Sequence, residues 1–405
     1  MRRGAVDTQL LQHVALFDKC KNYTKAREVQ AAGLYPYFKP ITESEDTVVV
    51  IEGQKKVMMG SNNYLGLTHH PKVLEAAKAA LERYGSGCTG SRFLNGTLDL
   101  HEQLEVRLAE FFGKEAALIF STGYQANLGL VSGLVGRNDV VLIDKLDHAS
   151  IVDGAKLSYG DTERFGHGNL AQLERLLQKT TERGVLVIVD GVYSMEGDIA
   201  DLPNLLRLCQ KYGAALAVDD AHSVGVLGPK GDGTAEHFNL TDDVDVIVGT
   251  FSKSLASIGG FVAASESVIH YLKHNSRPLI FTAALPPSNT AGVLAALEVM
   301  VAEPERRTRL WENTRRLQDG CRSLGFDIGH TETPIIPVLI GTLERTFVFW
   351  RKLFEAGVFT NPVVPPAVPP AECRLRTSLM ATHTPDQIDF ALETFARLGK
   401  EMGVI

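Results

Sequence analysis

The chain is predicted to adopt an α/β fold, with a large domain built on a mostly parallel central sheet and a smaller C-terminal α+β domain. Three observations lead there: helical stretches alternate with short apolar runs from about residue 71 to 300, those runs carry few polar interruptions, and the pattern changes after residue 300. At 405 residues the chain is longer than one typical domain.

Taken in order, residues 5–32 place Leu10, Leu11, Val14, Leu16 and Phe17 at helical spacing, which predicts an amphipathic helix packed on the body or on a second subunit. Residues 47–59 read as a hairpin turning at Gly53 and Gln54. Strands are predicted at 116–120, 140–144, 185–190, 214–219 and 244–249, and helices at 72–84, 100–112, 125–134, 171–182 and 202–212. The C-terminal part opens with a charged helix over 304–320, followed by a strand over 335–340 and a helix over 343–356. A proline-rich run over 361–370, a strand over 373–378 and a last helix over 385–402 complete it. The expected division is 1–60 for the N-terminal helix and hairpin, 61–300 for the large domain and 301–405 for the small one.

Composition narrows the function. A formal net charge of −7 speaks against a general nucleic-acid surface. Cys20, Cys88, Cys209, Cys321 and Cys373 are scattered, with no zinc-type or redox-type spacing, so reduced thiols in the cytoplasm are expected. The basic start Met1-Arg2-Arg3-Gly4 is not followed by an apolar core of secretory type, and no run approaches the ~20 apolar residues of a membrane span. A peripheral membrane contact stays open.

Ligands of parallel α/β sheets sit beyond the carboxyl ends of the strands, and several predicted strands here end in unusual polar residues. Lys253, in Gly249-Thr250-Phe251-Ser252-Lys253-Ser254, follows an apolar strand; a buried amine there is suited to condense with an aldehyde, although an exposed turn lysine reads equally well locally. Asp219 ends a strand and would pair well with a protonated pyridine nitrogen, with His222 three residues on. Asp219, Asp220 and His222 also admit a metal-site reading, and the run from Gly225 to Gly233 suits a loop approaching a ligand. Ser121 to Asn127 opens a helix, where Gly123 and free backbone amides suit a phosphate. His148 is placed to stack on a flat ring or to be a buried hydrogen-bonded histidine, and Ser194 to bond a cofactor. Five strand ends together fit one ligand better than five unrelated accidents.

These residues, in this order, resemble the α-oxoamine synthases, a branch of the fold-type I pyridoxal-phosphate enzymes. The resemblance is carried by Asn62-Asn63-Tyr64-Leu65-Gly66, by 85–97 with Ser91-Arg92, by Asp147-His148-Ala149-Ser150 and by Asp219-Asp220-Ala221-His222-Ser223. The stretch 249–253 and Arg376-Thr377 complete it. It implies a fold-type I transferase and a homodimer with shared active sites. By this likeness Lys253 holds pyridoxal 5'-phosphate covalently, Asp219 meets the pyridine nitrogen and His148 stacks on the ring. His222 and Ser194 approach the ring hydroxyl. Gly123, Tyr124 and Thr250 approach the phosphate, joined by Thr282 of the neighbouring subunit. Arg376 takes the substrate carboxylate, with Asn63 a weaker candidate; in a strand Arg374 shares the face of Arg376, so alternation alone does not choose between them. No metal is implied. The stretches 31–38, 249–260, 361–370 and 376–384 are most similar to the branch that joins serine to palmitoyl-CoA with loss of CO2, giving 3-ketodihydrosphingosine. Other members use alanine with pimeloyl-CoA, glycine with acetyl-CoA, or cysteate. A non-catalytic partner subunit would lack Lys253.

Overall fold

The computed structural model describes residues 15–180 and 182–405. Three strands come first: β1 (Ile41–Glu45), β2 (Val48–Ile51) and β3 (Gln54–Met58). The β2–β3 hairpin turns on Glu52 and Gly53, both at positive φ; Gln54, assigned to the turn from sequence, already pairs with Ile51. Left-handed backbone at both central residues matches the twist of the strands. The helix expected over 5–32 begins outside the described residues, where Leu10, Leu11 and Val14 lie. Its described part breaks into Asp18–Lys21 and Lys25–Ala31, neither with a buried residue.

The central sheet has seven strands: β4 (Ala116–Phe120), β5 (Asp139–Asp144), β6 (Asp161–Phe165), β7 (Gly184–Asp190), β8 (Ala215–Asp219), β9 (Val246–Thr250) and β10 (Gly260–Ala264), in the order β4-β10-β9-β8-β7-β5-β6. All run parallel except β10, which is antiparallel to both neighbours. Residues 251–259 alone connect β9 to β10, too few for the crossover that a parallel pair needs. That short connection carries Lys253.

Alternate residues of one strand feed opposite cores. Val141, Ile143, Leu186 and Ile188 pack on one face, and Val140, Leu142, Val187 and Val189 on the other. Each such burial contributes about 1.5–3 kcal/mol. Helices between the strands carry ordinary signals. In Leu202–Tyr212, for example, the Asp201 side chain accepts from the Asn204 amide, Pro203 sits in the first turn, and Gly213 ends the helix in the left-handed conformation.

Beyond the central sheet, β11 (Ile335–Gly341), β12 (Val358–Phe359), β13 (Asn361–Val363) and β14 (Cys373–Ser378) follow. An antiparallel sheet β11-β14-β13 packs with helices Glu305–Leu324, Leu343–Glu355 and Pro385–Glu401. The N-terminal hairpin is not an isolated appendage, because β3 pairs in parallel with β12. No helix of the described residues is long and apolar enough to cross a membrane. All five cysteines are free.

Candidate active site

The carboxyl ends of β4, β5, β7, β8 and β9 converge on one cavity of about 360 Å³. Its lining includes Gly123, Tyr124, His148, Ser194, Asp219, His222, Thr250 and Lys253, eight of the residues singled out in the sequence. Register explains the convergence. In the β7–β8 pair Asp190 stands beside Asp219, so two carboxyl groups sit side by side at the cavity floor.

Asp219 accepts from Asn127 Nδ2 at 2.6 Å and from the Ala221 amide at 2.9 Å. Asp190 accepts from the His148 amide at 3.2 Å. Burial and the neighbouring Asp219 push the Asp190 carboxyl well above the usual range. His148 caps helix Ala149–Leu157, its Nδ1 taking the Ser150 amide at 3.2 Å. This contact pins the ring, and burial lowers the imidazole's pKa.

Lys253 borders the cavity, yet protein surrounds its amine closely. Burial brings its pKa down to about 8, although Asp219 and Asp190 favour the charged form; Arg376 adds to the lowering. Such an amine is a far better nucleophile at neutral pH than an ordinary lysine.

Thr122 caps helix Gly123–Leu134 through the Gln125 amide at 3.1 Å, and the Ala126 amide bonds Thr122 O. The amides of Gly123 and Tyr124 have no partner among the described residues, as expected of a helix start. A Cβ on Gly123 would lie 2.6 Å from Thr250 Cβ, so only glycine lets this helix start approach β9 so closely. The Tyr124 hydroxyl donates to Asp153.

Arg376 stands behind Ser194. Its Nε donates to Ser194 O at 2.6 Å and its Nη2 to Asn62 Oδ1 at 3.0 Å. It is 4% exposed and meets no carboxylate among the described residues. Arg374 points to the same loop but is paired with Glu196 at 3.3 Å and Glu372 at 3.1 Å.

Two expectations need correction, and one alternative falls away. Asn63 does not reach the site: its amide ties Asp46 at 3.1 Å to Thr68 at 2.9 Å, and its Oδ1 takes the Leu67 amide at 3.0 Å. Asn62, one residue earlier, is the one that meets Arg376. The metal reading fails on geometry, because the Asp220 carboxyl turns to the Thr234 amide at 3.1 Å, away from Asp219. The glycine run after it does not line the cavity; Gly225, Gly228, Gly231 and Gly233 instead serve a turn with positive φ. Thr282, expected to act from the neighbouring subunit, does not line this chain's own cavity; its Oγ1 accepts from Gln125 Nε2 at 3.2 Å.

Asn127, Asn62 and Asp190 were not singled out as site residues. Asn127 had a readable signal: it lies four residues after Gly123, on the same face of that helix. Asp190 ends its strand as Asp219 does, a parallel visible in the sequence.

The chain matches the aminotransferase class I and II family over residues 54–395. It belongs to that family. It is 51% identical over 387 residues to a serine palmitoyltransferase of Sphingobacterium spiritivorum, covering 95% of this chain and 97% of that one. It is 45% identical to an 8-amino-7-oxononanoate synthase of Geobacter sulfurreducens, covering 94% and 98%. Among solved structures, serine palmitoyltransferase with its pyridoxal phosphate as internal aldimine superposes with a TM-score of 0.94 at 38% identity, covering 97% of this chain and 100% of that one. These relatives place the chain in the α-oxoamine synthase branch of the family.

The family's pyridoxal phosphate fits the residues present. Free amides at Gly123 and Tyr124 suit the phosphate, Asp219 suits the pyridine nitrogen, and the amine of Lys253 suits the aldehyde. Asn127 Oδ1, buried without a partner, marks a polar wall.

Proposed function

We propose that this enzyme joins L-serine to palmitoyl-CoA with loss of CO2, releasing coenzyme A and 3-ketodihydrosphingosine, as a cytoplasmic homodimer. One observation carries the binding of an amino-acid carboxylate. A buried guanidinium without an acidic partner is costly, and Arg376 is such a group beside the cavity while Arg374 is already neutralised. A substrate carboxylate supplies the missing partner through two parallel hydrogen bonds. The choice of serine and of the acyl chain rests on the similarity to serine palmitoyltransferases.

The chemistry supplied by the bound cofactor is electron withdrawal from the amino acid's Cα. The chain's residues do the rest. Lys253 would hold the cofactor through its Nζ, and the same Nζ, once free, is placed to take the Cα proton. Arg376 would fix the carboxylate and so aim the Cα–H bond. Asp219 would support the ring nitrogen, His148 would cover one ring face, and His222 and Ser194 would serve the ring hydroxyl. Gly123, Tyr124 and Thr250 would hold the phosphate, joined by Thr282 of the second subunit. Support for that last role is the position of Thr282 outside its own cavity, next to Phe281, which is 73% exposed. A second reading, alanine with pimeloyl-CoA, draws on the similarity to 8-amino-7-oxononanoate synthases.

Arg376→Lys keeps the charge but loses the fork, and is expected to weaken serine binding about tenfold or more and to slow turnover as well, because a misaimed substrate reacts poorly. Arg374→Lys should change serine affinity little. Serine titration of the cofactor's absorption, together with turnover, checks both. Normal serine binding in Arg376→Lys with loss in Arg374→Lys would reverse the assignment.

A further inference from the structure

Tyr64 lies in the stretch that opened the family resemblance, and none of the roles above uses it. Its side chain is 0% exposed. A tyrosine buried this deeply usually has a partner for its hydroxyl. Here the partner is His222 Nδ1, at 2.7 Å. Asn62 Oδ1 lies 3.5 Å from the same oxygen and takes Arg376 Nη2 at 3.0 Å.

We infer that Tyr64 is a positioning residue: its hydroxyl donates to His222 Nδ1 and keeps the imidazole proton on Nε2.

Counting donors fixes the direction. The phenol has a single hydrogen, and burial keeps it on the oxygen by raising the hydroxyl's pKa. Two acceptors are near. Asn62 Oδ1 is the more distant and already takes Arg376 Nη2 at 3.0 Å. His222 Nδ1 is the nearer and has no other partner among the described residues. The hydrogen therefore goes to Nδ1.

His222 is itself uncharged. Burial lowers its pKa well below the ordinary value, and Lys253, Arg376 and His148 around it act in the same direction. A neutral imidazole carries one ring hydrogen, so with Nδ1 accepting, the hydrogen sits on Nε2. His222 lines the cavity, and Nε2 bonds no described residue. The ring thus presents a donor to whatever oxygen occupies the cavity. Without the tyrosine hydroxyl, nothing among the described residues would hold the other tautomer back.

Asn62 Oδ1 takes Arg376 Nη2 at 3.0 Å and lies 3.5 Å from the Tyr64 hydroxyl, so Tyr64 stands between His222 and the residues around Arg376. Under the function proposed above, an amino acid captured at Arg376 would be felt at His222 by this route.

The test uses ¹⁵N-histidine NMR on the full-length, cofactor-free protein, with His222 assigned by the signals lost in His222→Asn. The expected parent spectrum has a protonated Nε2 and a bare, hydrogen-bonded Nδ1 at residue 222. In Tyr64→Phe, which keeps the ring, the same signals should move toward a mixture of tautomers. The His148 signals should stay unchanged in Tyr64→Phe. A protonated Nδ1 in the parent overturns the inference without any variant. So does an unchanged residue-222 spectrum in Tyr64→Phe. Neither result touches the serine reaction, because the tautomer is read without cofactor or substrate.

Discussion

Lys253→Ala is expected to lower turnover by about 10³-fold or more, because one side chain both anchors the cofactor and moves the Cα proton. The protein should still bind the cofactor through the phosphate and ring contacts, but borohydride should no longer fix it to the chain. The pH dependence gives an independent handle. Only the uncharged amine attacks an aldehyde, and the Lys253 amine loses its proton near pH 8. Attachment of cofactor to the cofactor-free protein should accelerate about tenfold per pH unit below that value and level off above it. An ordinary lysine would keep gaining until past pH 10. The sign for stability follows from the same lowered pKa. Between about pH 8 and the ordinary lysine value the unfolded chain binds the extra proton, so the cofactor-free fold gains stability as pH rises through that window. Stopped-flow absorbance checks the first expectation and denaturant melts the second. Borohydride labelling of a different lysine would remove Lys253 from its role.

Asp219→Asn is expected to cost about 10²-fold or more in α-proton exchange on serine, while the protein stays folded and retains some cofactor. The carboxylate accepts from two donors, the Asn127 amide and the Ala221 amide. An asparagine offers one acceptor and one donor, so one of these contacts turns donor against donor. The Ala221 contact is kept when the new Oδ1 faces it, and the new Nδ2 then meets Asn127 Nδ2, which also donates to Ser150 Oγ at 2.9 Å. Charge is lost at nearly constant shape and at the expense of that one contact, so the electrostatic loss dominates. Deuterium wash-out from labelled serine measures it. Exchange at the parental rate in a folded, loaded variant would mean that the carboxylate serves packing and not the ring.

The sheet was legible because its strands are buried on both faces and read as apolar runs; β4 was placed to the residue. Two strands escaped for physical reasons. β6, Asp-Thr-Glu-Arg-Phe, is an edge strand whose first four residues are exposed, so charge replaces the apolar signal. β10 follows β9 with no helix between, and its small residues Gly260, Ala263 and Ala264 give little periodicity. At the site, residues on strand ends were readable because a polar residue closing an apolar run is conspicuous. Asn62 and Asn63 were not separable, since adjacent asparagines in a loop have no period to orient them. Only the three-dimensional path sends one to Arg376 and the other to Asp46. Likewise, Arg374 and Arg376 share a face of β14, and it is Glu196 on another element that marks Arg374 as already paired.

Mass spectrometry of products tests the central assignment most directly. Purified enzyme is given serine, alanine, glycine and cysteate together, with acyl-CoAs that include palmitoyl-, pimeloyl- and acetyl-CoA. The expected dominant product is 3-ketodihydrosphingosine, formed with one coenzyme A and one CO2 released per turnover and absent with Lys253→Ala. A dominant product built from alanine and the pimeloyl chain, or from any amino acid other than serine, would contradict it.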